Sequence, residues 1–150
     1  MIKIITVGKI KEEYLDEAIK EYEKRIRKYC KLEIIEVKDE AFDEVKTLLR
    51  ERDSIMKYIS DKDYIVTMEI EGTQMDSVTF ANKLDNIMMN NSDITFIIGG
   101  SYGLHEDIKN MSNLKLSFSK MTFPHQLFRV ILLEQIFRAF KILNNETYHK

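Results

Sequence analysis

Blocks of apolar and polar residues alternate along the chain, with a spacing that switches between strand-like and helix-like. Five segments predict strands: the buried run Ile2–Val7, the alternating segment Leu32–Val37, and the segments 64–70, Ile94–Ile98 and 114–118. Apolar residues spaced by three and four positions predict amphipathic helices at 11–29, at 43–59, from Ser77 onward and from Pro124 to about Leu143. Ser77 is expected to cap the third helix, and a polar turn is expected around Gly72.

Strands that alternate with helices of more than ten residues are typical of α/β proteins. The order of elements predicts a mostly parallel sheet with helices on both faces. The sequence contains no internal repeat, low-complexity tract or linker, and its 150 residues suit a single domain, 1–150.

Composition excludes several classes of protein. The formal net charge of −2 argues against a free-standing nucleic-acid binder, although residues 99–150 carry +3 and residues 1–98 carry −5. A single cysteine, Cys30, excludes a disulfide framework and a cysteine-built zinc site. The longest uncharged run, residues 94–105, is too short to span a membrane, and the short apolar start is not a secretory signal, so a cytoplasmic protein is expected.

A glycine cluster follows the fourth strand and is the first candidate ligand site. Three of the five glycines lie in residues 99–103, where a parallel sheet binds ligands beyond its strand ends. A tight turn that binds nothing explains the same spacing equally well. The turn after the first strand has one glycine, which excludes a Rossmann dinucleotide motif, and no P-loop pattern is present.

The segment between the fifth strand and the last helix is the second candidate. Residues 117–126 combine hydroxyl groups, aromatic rings, one lysine and one histidine, a mixture that can enclose a flat heterocycle. The spacing favours the simpler interpretation, in which Phe118 and Phe123 fill the core and Pro124 starts a helix.

The last helix is apolar in nearly every direction around its axis. A helix of this kind must be buried on all sides, and a two-fold homodimer packed on it is the economical solution. A central helix in a monomer is the alternative. The three histidines, His105, His125 and His149, are too dispersed to suggest a metal site, and no metal is expected.

Three segments together resemble the RlmH family, small bacterial methyltransferases of the SPOUT superfamily. They are residues 97–104 (IIGGSYGL), residues 116–125 (LSFSKMTFPH) and the terminal Tyr148-His149-Lys150. The resemblance runs along the whole chain, although the region between Val37 and Asp43 is shorter than is usual in the family.

The resemblance implies a fold and a cofactor that the spacing does not indicate. It implies an α/β fold with a C-terminal trefoil knot, a homodimer, and S-adenosylmethionine as methyl donor without a metal. The cofactor positions of the family correspond to the residues Met68, Gly99, Phe118, Ser119, Lys120, Met121, Thr122 and Phe123. Met68 stands where leucine is usual, and its similar volume preserves apolar packing.

The resemblance also implies a substrate and roles for the tail. The substrate would be a pseudouridine in helix 69 of 23S rRNA, methylated at N3 in the assembled 70S ribosome. The tail would lie over the partner's cofactor site. His149 would be the general base or a base-positioning group, and Tyr148 would stack on the flipped nucleobase or form a hydrogen bond with it. Lys150 would contact a phosphate, and His125 and Arg129 would contact RNA or support the cofactor loop.

Two other functions compete with this interpretation. A SPOUT methyltransferase that acts on transfer RNA shares the fold, but such enzymes often carry a basic extension or an extra domain that this chain lacks. A non-enzymatic module that dimerises and binds a nucleotide explains the fold and the last helix, but gives no reason for the polar Tyr-His-Lys end.

Overall fold

A computed structural model describes residues 1–150 and shows five strands that alternate with five helices. The elements in chain order are β1 (Ile2–Val7), α1 (Glu13–Ile26), β2 (Leu32–Val37), α2 (Glu44–Met56), β3 (Tyr64–Gln74), α3 (Ser77–Asn90), β4 (Ile94–Ile98), α4 (Glu106–Asn110), β5 (Leu114–Ser117) and α5 (His125–Leu143). The α/β class is therefore confirmed.

All five strands are parallel and form one sheet in the order β2-β1-β4-β3-β5. The strand β4 lies at the centre, and its five residues are all buried. Because parallel strands need covered faces, helices pack on both sides of the sheet. Helices α1, α3 and α5 cover one face, with α5 packed against both of the others, whereas α2 and α4 cover the opposite face.

The alternation of side chains along each strand divides the core into two parts. In β1, Ile2 and Ile4 face the α1–α3–α5 layer, whereas Ile5 and Val7 face the α2–α4 layer. The larger part of the core lies under α5, whose fully buried side chains include Leu132, Leu133 and Ile136. The position of α5 thus decides how the larger part of the core is closed.

The polar turn expected around Gly72 is wrong. The strand β3 continues to Gln74 and pairs with β5 through a register shift between Met68 and Thr73. At Gly72 the backbones come so close that an added Cβ would lie 2.7 Å from the carbonyl oxygen of Lys115. The glycine therefore permits close strand contact at a bulge and does not mark a turn.

Two helix starts also differ from the prediction. The carboxylate of Asp76, and not the hydroxyl of Ser77, caps α3 by accepting a 2.7 Å hydrogen bond from the Thr79 N–H. Pro124 takes an extended conformation at the cap position of α5, and His125 is the first helical residue. None of the five helices has the length and apolar content needed to cross a membrane.

Candidate functional site

A cavity of about 520 Å³ opens where β3, β4 and β5 end. Its size lies within the range of small-molecule sites, about 300–1,000 Å³. Its walls come from the end of β3, the loop after β4, the loop after β5 and the start of α5. Both candidate loops of the sequence therefore meet at one place, as expected for the carboxyl edge of a parallel sheet.

The glycine loop, residues 99–103, forms a tight turn and also a wall of the cavity. The N–H of Gly103 donates a 3.0 Å hydrogen bond to the carbonyl of Gly100, which closes the turn. A Cβ on Gly99 would collide with the carbonyl of Gly103, whereas a Cβ on Gly103, at φ +77°, would meet nothing within 4 Å. The loop therefore presents bare backbone to open space beside the strand ends.

The second loop, residues 118–124, brings aromatic rings to the opposite wall. Phe118 packs edge-on against Phe80 and tilted against Phe128, and Phe123 stacks on Phe128 with ring centroids 6.1 Å apart. The N–H of Met121 donates to the Ser119 hydroxyl at 2.9 Å, which fixes the turn of the loop. Phe118 and Phe123 thus pack and line the cavity at the same time, so the two interpretations of this segment are not exclusive.

Seven of the eight residues expected to bind the cofactor line the cavity. They are Met68, Gly99, Phe118, Ser119, Met121, Thr122 and Phe123. Lys120 does not line it, and its side chain is exposed to solvent. His125 lines the rim of the same cavity as the first residue of α5.

The cavity also contains charged side chains that the sequence pattern does not mark as site residues. Glu69 and Glu71 lie in β3 just beyond its last pair with β4, Thr67 with Ile97, and Lys109 comes from the short helix α4. The Thr67 hydroxyl donates a 2.6 Å hydrogen bond to the Glu69 carboxylate. The expected strand, 64–70, already ends beside both glutamates, but their position at a ligand site follows only from the cavity itself.

A buried carboxyl group lies directly behind the glycine loop. Glu51 on α2 is 2% exposed; its Oε2 accepts a 3.1 Å hydrogen bond from the Glu40 N–H, and its Oε1 has no partner. Oε1 lies 3.3 Å from the position that a Cβ on Gly100 would take. Burial is the main cause that raises the pKa of Glu51, and the nearby Asp39 carboxylate raises it further.

Arg129 lies in the interior and not on a surface that RNA could reach. Its side chain is 2% exposed, and Nη1 donates a 2.6 Å hydrogen bond to Oε2 of Glu36. Nη2 donates to the carbonyl of Gly8 at 3.1 Å. These contacts hold α5 against the ends of β1 and β2, which is consistent with support of the site and leaves no donor facing solvent.

The tail, residues 148–150, lies along α5 and away from the cavity of its own chain. The Tyr148 hydroxyl donates to Glu134 Oε1 at 3.2 Å, and the Tyr148 ring packs edge-on against Phe137 at 5.0 Å. Glu134 follows His125, at the cavity rim, by nine residues, which is about 14 Å along a helix. Within one chain, the structure therefore does not bring Tyr148, His149 and Lys150 to the other predicted site residues.

Comparisons with known proteins agree with this geometry. The profile of a family described as "Predicted SPOUT methyltransferase" matches residues 1–149. Proteins from Clostridium botulinum and Clostridium perfringens, both named ribosomal RNA large subunit methyltransferase H, are 50% and 48% identical to this chain over 157 aligned positions, covering 99% of each chain.

The fold is also found among solved structures. The structure of a probable methylase family protein from Haemophilus influenzae matches with a TM-score of 0.60 at 12% identity, covering 99% of this chain and 70% of that one. The similarity of sequence extends over the whole length, from β1 through both cavity loops to the tail. The chain therefore belongs to the ribosomal RNA large subunit methyltransferase H (RlmH) family of SPOUT methyltransferases.

Proposed function

We propose that this chain methylates large-subunit ribosomal RNA with S-adenosylmethionine as methyl donor. The proposed acceptor is N3 of a pseudouridine in helix 69 of 23S rRNA, in the assembled 70S ribosome. The observation that carries the proposal is the cavity at the ends of β3, β4 and β5, with bare glycine backbone on one side and aromatic rings on the other. Identity of about 50% to proteins named for large-subunit RNA methylation supports the choice of ribosomal RNA.

The residues of the cavity suit S-adenosylmethionine. No atom lies within 4 Å of the position that a Cβ on Gly103 would take, and Met68 and Phe123 offer apolar contacts to a flat ring in the cavity. The carboxylates of Glu69 and Glu71 favour a positively charged sulfonium, and Lys109 suits a carboxylate. The bound cofactor supplies an electrophilic methyl group, and no metal is required. The chain itself has to bind the cofactor, orient the acceptor base and exclude water.

The proposed chain path contains a C-terminal trefoil knot. The edge strand β5 leads into the loop 118–124, which lies across the cavity from the glycine loop, and α5 then returns to pack between α1 and α3. A return of the last segment to the middle of the sheet is what a threaded C-terminus requires. True knots are rare, so this part of the proposal depends on the family and not on general rules of topology.

The proposed assembly is a two-fold homodimer packed on α5. Leu127 is 39% exposed, and Val130 and Ile131 are half-buried, so one chain leaves an apolar stripe on α5 uncovered. The distance between the tail and its own cavity supports an arrangement in which each tail completes the partner's site. Two equivalent composite sites then follow from the symmetry of the dimer.

The tail would supply the groups that hold the acceptor nucleotide. Tyr148 would stack on the flipped base, His149 would contact its imide edge, and Lys150 would bind a phosphate. His125, exposed at the cavity rim, would contact RNA. Arg129 is left out of the RNA contacts because its guanidinium is buried on Glu36 and Gly8.

Transfer of labelled methyl groups tests this function directly. The purified protein is incubated with labelled S-adenosylmethionine and 70S ribosomes from cells that lack this gene, beside separated 50S subunits and transfer RNA. Label on 70S ribosomes, at N3 of a helix 69 pseudouridine, is the expected result. Label on transfer RNA would overturn the substrate, and cofactor binding without any transfer would favour the non-enzymatic module.

A matched pair of variants tests the role of the tail. A chain that ends at residue 147 should bind S-adenosylmethionine but transfer no methyl group, because the groups proposed to hold the nucleotide are gone. The variant Lys57→Ala, changed just beyond the end of α2, should transfer at the wild-type rate. Full turnover by the truncated chain would exclude any role of Tyr148, His149 and Lys150 in the reaction.

A further inference from the structure

Arg138 is the centre of a group of side chains that fixes the tail on α5. Its Nη2 donates a 2.6 Å hydrogen bond to Oε1 of Glu134, and its guanidinium carbon lies 4.8 Å from the centroid of the Tyr148 ring. Its Nη1 lies 3.1 Å from Nδ1 of His149. One guanidinium therefore contacts the carboxylate, the phenol ring and the imidazole at the same time.

The contact with His149 determines which ring nitrogen carries the proton. A guanidinium has five N–H donors and no acceptor, so it forms a hydrogen bond only with a nitrogen that has a free lone pair. Nδ1 must then be the unprotonated nitrogen, and the single proton of the neutral imidazole lies on Nε2. His149 therefore has its lone pair occupied by Arg138 and presents an N–H group to whatever it meets.

We infer that Arg138 holds His149 as the Nε2–H tautomer, so that His149 donates a hydrogen bond to a carbonyl oxygen beside N3 of the acceptor base and does not take the N3 proton. This inference rests on the proposed function, and it assigns a positioning role to Arg138. It decides between the two roles that the resemblance left open for His149. Because Nδ1 is engaged and Nε2 is protonated, neither nitrogen of the neutral ring is free to act as a base.

The reaction balances without a histidine base. The N3–H proton leaves to solvent water, and the negative charge that remains on the imide spreads onto its two carbonyl oxygens. A fixed N–H donor at one of these oxygens stabilises that charge and favours loss of the proton. The N3 lone pair then forms the bond to the methyl carbon while the carbon–sulfur bond breaks. The electron pair of the broken bond stays on sulfur, which becomes a neutral thioether.

The other charged groups near the tail are already engaged. Glu134 Oε1 accepts hydrogen bonds from both Arg138 and the Tyr148 hydroxyl. The nearby Asp76 carboxylate caps α3 by accepting from the Thr79 N–H at 2.7 Å. Arg138 is thus the group that sets the tautomer of His149, and the hydroxyl of Tyr148 is tied down so that its ring is held in place.

Nitrogen NMR of the full-length protein tests the tautomer without any substrate. In protein labelled with ¹⁵N at histidine, the two ring nitrogens of His149, assigned by comparison with His149→Gln, should report an unprotonated Nδ1 and a protonated Nε2. The variant Arg138→Lys keeps a donor and should preserve this pattern, whereas Arg138→Met should give a mixture of tautomers. A protonated Nδ1 in the wild-type protein would overturn the inference.

Kinetics on 70S ribosomes test what the tautomer does. His149→Gln keeps an N–H donor but has no basic nitrogen, so it should stay within about tenfold of the wild-type kcat and show the same pH profile. His149→Leu should fall by about a hundredfold or more, the usual cost of a lost donor at a developing negative charge. Equal losses in both variants, with the acidic limb of the profile missing in His149→Gln, would make His149 the base and overturn the inference.

The two proposals fail in different ways. If wild-type protein transfers no methyl group to ribosomes, the proposed function fails, and with it the donor role of His149. The NMR spectrum still reports whether Arg138 sets the tautomer. If transfer occurs but the spectrum shows a protonated Nδ1, the proposed function holds and this inference does not.

Discussion

Arg129 is buried, and of the two roles that the resemblance implied for it, RNA contact or support of the cofactor loop, this position favours support. Its guanidinium is buried between Glu36 and the carbonyl of Gly8, and its Nε has no partner. Glu36 Oε2 also accepts a hydrogen bond from the Ile10 N–H at 3.2 Å. One carboxylate therefore joins the start of α5 to the loop after β1.

Removal of the partner of a buried charge should be costly. Glu36→Ala leaves the Arg129 guanidinium buried without its carboxylate, and we expect the free energy of unfolding to fall by about 2 kcal/mol. This value lies below the 3–5 kcal/mol typical of fully buried pairs, because the Glu36 side chain is 38% exposed. Urea unfolding measures it, with Glu33→Ala, an exposed change on the same strand, as control.

Glu51 should make stability depend on pH. Burial raises its pKa above the ordinary 4.5, so the folded protein binds a proton there that the unfolded chain has lost. The contribution of Glu51 to stability is therefore fully present below about pH 4.5 and is lost as the pH rises through the raised pKa. Glu51→Gln should resist this loss, and its stability advantage in urea unfolding should grow from pH 5 towards neutrality.

The exposed Glu44 provides the control for Glu51. Glu44→Gln lies on the same helix and removes the same formal charge without burial. The difference in free energy of unfolding between Glu44→Gln and the wild-type protein should not grow from pH 5 towards neutrality. An equal pH trend in the two variants would show that net charge, and not burial of Glu51, causes the effect.

The strands were easier to predict from sequence than the ends of helices. The bounds of β1, β2 and β4 agree with the prediction, because each strand is a short, mostly apolar or alternating segment that ends at a glycine or a charged residue. β3 is longer than its apolar pattern predicts, because Gly72 allows close contact with β5 and does not form a turn. α4 was missed because five residues are too few to show a helical period.

The cap of α3 is a local feature that a substitution can check. The pKa of Asp76 is lowered chiefly by the hydrogen bond from the Thr79 N–H. Its contribution to stability is therefore present above the ordinary pKa of 3.8 and is lost as the pH falls through the lowered value. Asp76→Ala should lower the free energy of unfolding at neutral pH, as measured by urea unfolding.

Ser77 is the matched comparison, because sequence analysis selected it as the cap. Its hydroxyl donates to Gln135 Oε1 at 2.7 Å on α5 and does not cap α3. Ser77→Ala should therefore leave the dependence of stability on acidic pH unchanged, whereas Asp76→Ala should remove part of it. The opposite result would restore Ser77 as the cap.

The cavity loops could be predicted from sequence, but the relation of the tail to the cavity could not. Glycines and aromatic residues at strand ends mark both loops as candidates but leave their role open, whereas the resemblance names eight cofactor residues, of which seven line the cavity. The contacts of Tyr148 and His149 with Glu134 and Arg138 depend on how the tail folds back on α5. No spacing rule gives the direction of a polar chain end.

Mixed dimers should reveal whether the tail acts on the partner's cavity. A chain that ends at residue 147 and a full-length Thr122→Trp variant, which puts a bulky ring into the cavity without a backbone collision, should each be inactive alone. Random reassortment makes half of the dimers mixed, and each mixed dimer has one intact composite site, so about a quarter of the wild-type activity should return. The recovered activity is measured as methyl transfer to 70S ribosomes after the two variants are mixed. No recovery would show that each tail acts on the cavity of its own chain.

The central position of β4 has a consequence for how the protein is made. β1 pairs with β2 and also with β4, so one edge of β1 stays open until Ile94–Ile98 has been synthesised. Synthesis from the end of β2 to the end of β4 takes roughly 3–12 seconds at about 5–20 residues per second, and the edge stays open for that time. Unpaired strand edges promote aggregation, so the nascent chain is vulnerable during this interval. Slower synthesis lengthens the interval and should lower the yield of native molecules, whereas chaperone cover should raise the yield.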